Sequence, residues 1–149
     1  MSSLFQRMRI SAFSQPALQA FFGSDYPTFR FFDRLLPQGQ EKLGPCVRVT
    51  SVSQITTNLK NGRNKLTEER MQIDVIDSDS VRASNAADAI DTWLDSANFA
   101  DNRAFGSPVT ASGGPPPNFK LNQRGGLYPA TERMIPVESL DYRIFNVNT

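Results

Sequence analysis

Histidine is absent from the 149-residue chain, and cysteine occurs once, at Cys46. The first absence removes the most common general base at neutral pH and the most common metal ligand. It argues against histidine-dependent triads and histidine-containing zinc sites. A single cysteine forbids an internal disulfide, which is compatible with synthesis in a reducing compartment. No apolar stretch approaches the roughly 20 residues that a membrane helix needs. The opening segment, Met1 to Phe13, lacks the apolar run of a secretion signal. Surplus charge is missing too, with 16 basic residues against 15 acidic ones. Phosphate recognition usually leaves a basic surplus, and anionic membranes select polybasic runs. The expectation is a soluble, single-domain product, residues 1–149, made in the cytoplasm, with no membrane association.

What is present is a patterned globular sequence. Leu4, Phe5, Met8 and Ala12 recur at three- and four-residue steps and predict a first helix. Ser14 suits an N-cap, Pro16 a first turn and Gly23 a stop, so a second short helix is expected, with Ala17, Leu18, Phe21 and Phe22 facing the core. The aromatic run from Phe29 to Leu36, bounded by Pro27 and Pro37, reads as a strand or extended edge whose phenylalanines pack in the core.

Two longer strands follow. From Cys46 to Ser53, Val47 and Val49 share one face while Arg48 and Thr50 share the other. From about Leu66 to Ile76, Met71, Ile73 and Val75 alternate with Gln72 and Asp74. With an Asn61-Gly62 turn pair between them, these pieces predict a long antiparallel hairpin. Cys46 reads as a small core residue of the first strand.

Asp77-Ser78-Asp79-Ser80 stops the second strand and caps a helix from about Val81 to Ser96. Ala83, Ala86, Ala87, Ile90, Trp93 and Leu94 form its buried stripe. Asp74, Asp77 and Asp79 lack the spacing of a calcium loop and read as capping residues and a solvated strand end. Glu68 and Glu69 point to opposite faces of a strand, which separates them as an acid/base pair.

Phe99 to Tyr128 contains Gly106, Pro108, Gly113, Gly114, Pro115, Pro116, Pro117, Gly125 and Gly126. Such a run predicts an extended loop, arm or hairpin over 99–128, with a short strand near Val109 or Phe119. Gln123-Arg124-Gly125-Gly126 lacks the Lys-Ser/Thr ending of a phosphate loop and reads as turn chemistry. Arg103, Phe105, Pro115, Pro116, Pro117, Lys120, Arg124 and Tyr128 are the candidate protein-interface residues, because arginine and aromatic side chains dominate binding hot spots. The chain then ends in a strand over Arg133 to Val137, interrupted by Pro136, and another over Ser139 to Val147. In the latter, Leu140, Tyr142 and Ile144 oppose Asp141 and Arg143. The fold class expected from these pieces is α+β: a curved mixed or antiparallel sheet of about four to five strands with helices on one face.

The order of these elements resembles the tail-completion, or tail-terminator, proteins of long-tailed bacteriophages. The resemblance is carried by Phe22-Gly23, by Phe31 to Pro37, and by Pro45-Cys46-Val47-Arg48-Val49. It continues through Glu69-Arg70-Met71-Gln72-Ile73-Asp74-Val75, the helix Ala83 to Leu94, and Leu140-Asp141-Tyr142-Arg143-Ile144. It implies a ring of six copies in the virion, at the head–tail interface. That ring ends tube polymerisation and contacts the tail tube protein and the head-tail connector. DNA would pass through the lumen without sequence-specific binding. It also implies no catalytic residue, no cofactor and no metal. A neck or head-completion ring protein is the related alternative. A small-ligand module using Phe29 to Phe32 as a pocket wall is the alternative of a different class. The resemblance requires Met71, Ile73 and Val75 in a sheet and a helix over residues 81–96.

Overall fold

In the computed structural model, residues 4–58, 65–97, 118–129 and 134–148 are described. Three helices, α1 (Leu4–Phe13), α2 (Pro16–Phe22) and α3 (Ser80–Ser96), cover one face of a five-stranded sheet. Its strands are β1 (Phe31–Asp33), β2 (Cys46–Asn58), β3 (Lys65–Ile76), β4 (Asn118–Pro129) and β5 (Met134–Asn148). Their spatial order is β1-β2-β3-β5-β4. β1 runs parallel to β2 and every other pairing is antiparallel, so the sheet is mixed. The α+β class and the helices on one face are as the sequence predicts.

The alternation in β2 and β3 decides which side faces the helices. Val47, Val49, Met71, Ile73 and Val75 are buried beneath them, joined by Leu140, Tyr142 and Ile144 of β5. Their apolar area is the main driving force for closing the two layers. Ala83, Ala86, Ala87, Ile90, Trp93 and Leu94 are all buried along α3, as the 3.6-residue rhythm requires. Asp79 caps that helix, its Oδ1 accepting from the N–H groups of Val81 and Arg82 at 3.0 and 3.3 Å.

Aromatic packing binds the N-terminal helices to this layer. Phe29 stacks on Phe31 with centroids 5.9 Å apart, and Phe31 meets Phe5 and the edge of Trp93. The Trp93 indole donates to Ser11 Oγ at 3.0 Å, tying α3 to α1. Arg9 of α1 donates to the carbonyls of Tyr26, Phe29 and Phe31, which holds the chain entering β1.

Several local expectations are corrected. Ser14 does not cap α2; Gln15 holds the N-cap position without a side-chain bond, and Pro16 begins the helix. The Ser14 hydroxyl instead donates to Ser11 O at 2.6 Å, occupied by the end of α1. Ala17 is exposed, while Leu18 and Phe22 carry the buried face of α2. Gly23 ends the helix as expected, at a φ of 120° that a side chain would strain. The aromatic run yields only a three-residue strand, and Leu35 beyond it is exposed.

Two larger corrections concern the C-terminal half. Pro136 does not split the last strand: β5 is continuous from Met134 to Asn148. The Pro136 carbonyl accepts from Asp77 N–H just past the end of β3, so the proline lies beyond the last β3–β5 pair, Ile76 with Val137, where a lost donor interrupts no further pairing with β3. The short strand expected near Phe119 is present but longer than expected, and residues 118–128 are not loop. They form most of β4, and Gly125 and Gly126 pair with Glu138 and Val137. Ladder bonds to β5 outweigh the local turn preference of the two glycines. The expectations for the Asn61-Gly62 turn and for residues 99–117, including Arg103, Phe105 and Pro115 to Pro117, lie outside the described residues.

Candidate assembly surface

The sheet face turned away from the helices carries a connected polar network. Its centre is the Asp74 carboxylate on β3, which is buried on the face away from the three described helices. Arg48 of β2 sits directly opposite in register, and its Nε and Nη2 donate to Asp74 Oδ2 at 3.1 and 2.7 Å. Ser139 of β5, opposite on the other side, donates its hydroxyl to Asp74 Oδ1 at 2.6 Å. Gln72 Nε2 donates to the same oxygen at 3.0 Å. With four bonds from three strands, the buried charge is both paired and solvated by protein dipoles.

A second carboxylate, Asp141 of β5, is also buried on this face. Arg124 of β4 reaches it at 3.0 Å and Arg70 of β3 at 3.8 Å. Tyr128 of β4 lies under the Arg48 guanidinium, 5.4 Å from its ring centroid. Further along, Arg143 pairs with Glu68. Guanidinium groups therefore bridge β2, β3, β5 and β4 across the open face, with their outer edges in water.

Three sequence-predicted interface residues are described, and they do not form one cluster. Arg124 and Tyr128 lie on the open face, while Lys120 turns to the helix side. There it forms an ion pair with Asp91 of α3 at 2.7 Å and also meets Gln123. Asp91 receives the Tyr142 hydroxyl as well, and burial followed by this hydrogen bond holds the Tyr142 phenol well above its ordinary range. Arg48, Arg70, Asp74, Ser139 and Asp141 were missed as members of this network. The signal was present in their placement opposite the apolar residues of β2, β3 and β5, but alternation alone does not show which polar residues meet.

Asp77 is another correction. It is no solvated strand end: its carboxylate is buried and receives Arg82, whose Nη2 donates at 2.8 Å. The hydrogen bond and the charge of Asp77 together raise the Arg82 pKa. Glu68 and Glu69 do separate to opposite faces, Glu68 to Arg143 and Glu69 to Ser51. Phe29 and Phe31 are packed among other core rings, so neither offers a free wall to a ligand. Among the described residues no group of three or more acidic or cysteine side chains is placed to hold a metal ion. No described helix is long and apolar enough to cross a membrane.

The chain matches no protein-family model, and no curated protein is similar to it in sequence. Solved structures do share its fold. One is a chain of the virion of a native gene transfer agent particle, superposing with a TM-score of 0.54 at 16% identity. The match covers 96% of this chain and 90% of that one, so the fold is shared over most of both.

Proposed function

We propose that the chain is a structural protein of a phage-like virion. Copies of it would close into a six-membered ring on the end of a tail tube, stop tube growth and present a surface to the head-side connector. The observation that carries this reading is the fold shared with a gene transfer agent virion chain over nearly the full length of both. The ordered resemblance to tail-completion proteins points the same way. Met71, Ile73 and Val75 lie in the sheet and residues 81–96 are helical, as that resemblance requires.

The physical character of the surface agrees. A closed ring needs two different, mutually complementary faces on one subunit that meet by rotation. The open sheet face offers arginine heads already oriented by buried carboxylates, a suitable surface for a partner protein. The near-neutral balance of charge suits a ring through which DNA passes without being held.

Deletion of the gene from the particle's genome tests the role. Tails of uncontrolled length are expected, and they should disappear on complementation. Tails of normal length that fail to join heads would assign the chain to the neck. Normal infectious particles would refute both positions.

A further inference from the structure

The two layers of the fold carry opposite charge on their outward sides. On the sheet face away from the described helices, the guanidinium groups of Arg48, Arg70, Arg124 and Arg143 stand over the carboxylates of Asp74, Asp141 and Glu68. The surface itself is cationic, because the acids lie beneath. The Asp74 and Asp141 side chains are 2% and 6% exposed, whereas those of Arg70, Arg124 and Arg143 are 51%, 51% and 46% exposed. Arg70 and Arg143 are also register partners, directly opposite on β3 and β5. Like charges so placed oppose the pairing of their strands. Arg70 shares one oxygen of Asp141 with Arg124, at 3.8 and 3.0 Å.

Helix α3 shows the converse. Asp88, Asp91 and Asp95 lie in its C-terminal half at spacings of three and four residues, so they share one side. No lysine or arginine follows Arg82 in the helix. The C-terminal end of a helix is its negative pole, and Asp91 and Asp95 repel one another across a single turn. Asp91 is met by Lys120 and by the Tyr142 hydroxyl. Asp88 and Asp95 are exposed, and among the described residues neither has an ion pair. Each surface thus holds like charges that the other would relieve. The sheet lies between them, so one chain cannot bring them together.

We infer that the acidic C-terminal half of α3 in one copy docks on the arginine face of the sheet in the next copy. This rests on the ring reading above and supplies its contact. The contact is heterologous, since a helix meets a sheet face, and such contacts close into rings. The spacings agree. Asp88 and Asp95 are two turns apart, ~10 Å along the helix. Arg124 is level with Ser139, four residues or ~13 Å along β5 from Arg143. The arginine heads at the two levels are drawn towards each other, as Arg70 and Arg124 both reach Asp141. A nucleic-acid occupant is disfavoured, because the buried carboxylates offset most of the cationic charge that phosphates would need.

A charge exchange between full-length copies tests the contact. Arg70→Glu and Asp95→Lys each alter an exposed side chain, and each alone sets like charges against each other at the contact. Light scattering should show each variant losing about tenfold or more in self-association, with circular dichroism unchanged. Arg124→Glu takes the place of Arg70→Glu if the latter does not fold. Mixed in equal amounts, the two variants should recover association. Alternating copies then set the altered sheet face of one against the altered helix of the other, and the two unaltered surfaces against each other. No recovery in the mixture would overturn the inference, as would unchanged association of either variant. If the wild type is monomeric in solution, the same exchange is read in the particle. Both variants together, and neither alone, should restore normal tails to the gene deletion; any other pattern overturns the contact. Asp95→Lys should also raise the thermal midpoint of the monomer, since a cation suits a helix C-terminus. A lowered midpoint would show that Asp95 serves its own chain and overturn the inference. Binding of a DNA duplex that is lost in Arg70→Glu, with association intact, would assign the face to nucleic acid and overturn it. Rings that survive both substitutions would overturn the contact while leaving the ring reading standing.

Discussion

Arg48 and Asp74 are cross-strand neighbours whose charges meet on the side of the sheet away from the described helices, 2.7 Å apart, with the carboxylate almost wholly buried. A carboxylate is rarely removed from water unless it is paired. Here β2, β3 and β5 each supply a donor, so the sheet itself provides the solvation that water would have given.

Asp74→Ala should therefore destabilise the fold by about 3 kcal/mol, the low end for a broken buried pair, because Arg48 keeps a path to water. Ser139→Ala removes one donor and should cost about 1 kcal/mol. Urea unfolding followed by far-ultraviolet circular dichroism measures both. A loss below ~0.5 kcal/mol for Asp74→Ala would mean that the network contributes nothing net.

Ala86 and Ala87 set how closely α3 lies to the sheet, since both are fully buried. Ala87→Leu should push the layers apart and cost about 1–3 kcal/mol through overpacking. Ile90→Ala leaves a cavity in the same layer and should cost about 2–5 kcal/mol. Chemical denaturation of the two variants checks the order of magnitude, and a stabilised Ala87→Leu would disprove the close approach.

Asp79 supplies the N-terminal cap of α3 from an exposed position. Asp79→Ala should cost about 1 kcal/mol, whereas Asp79→Ser should recover most of it. Equal thermal midpoints for the three proteins would show that the cap is not needed.

Tyr142 predicts a response to alkali. Its folded pKa is raised above the unfolded value near 10, through burial and the bond to Asp91. The folded state therefore holds the proton more tightly. The associated stability is complete below pH 10 and declines as pH rises beyond it. Tyr142→Phe should flatten the dependence of urea midpoint on pH between 9 and 11.5. An unchanged slope would place the alkaline sensitivity elsewhere.

Much of the architecture was legible because it depends on short-range periodicity. The two-residue rhythm through Met71, Ile73 and Val75 and the helical stripe from Ala83 to Leu94 each need only their own neighbours to be read. The Asp79 cap is local in the same sense. Gly125, Gly126 and Pro136 misled because their usual conformational preferences were overridden by partners distant in sequence. β5 holds the glycines extended, and Pro136 falls just past the last pair between β3 and β5.

By itself, then, the amino-acid order determined the helices, the strand faces and the identity of the main apolar core, since side-chain direction follows from backbone period. Only the tertiary structure decided that β5 lies between β3 and β4, and that Arg48, Asp74, Ser139 and Asp141 meet across the open face. It alone decided that β1 and β4 are the outermost strands of the described sheet. Strand order and cross-strand register join residues tens of positions apart, and no local pattern encodes which distant partner a strand will choose.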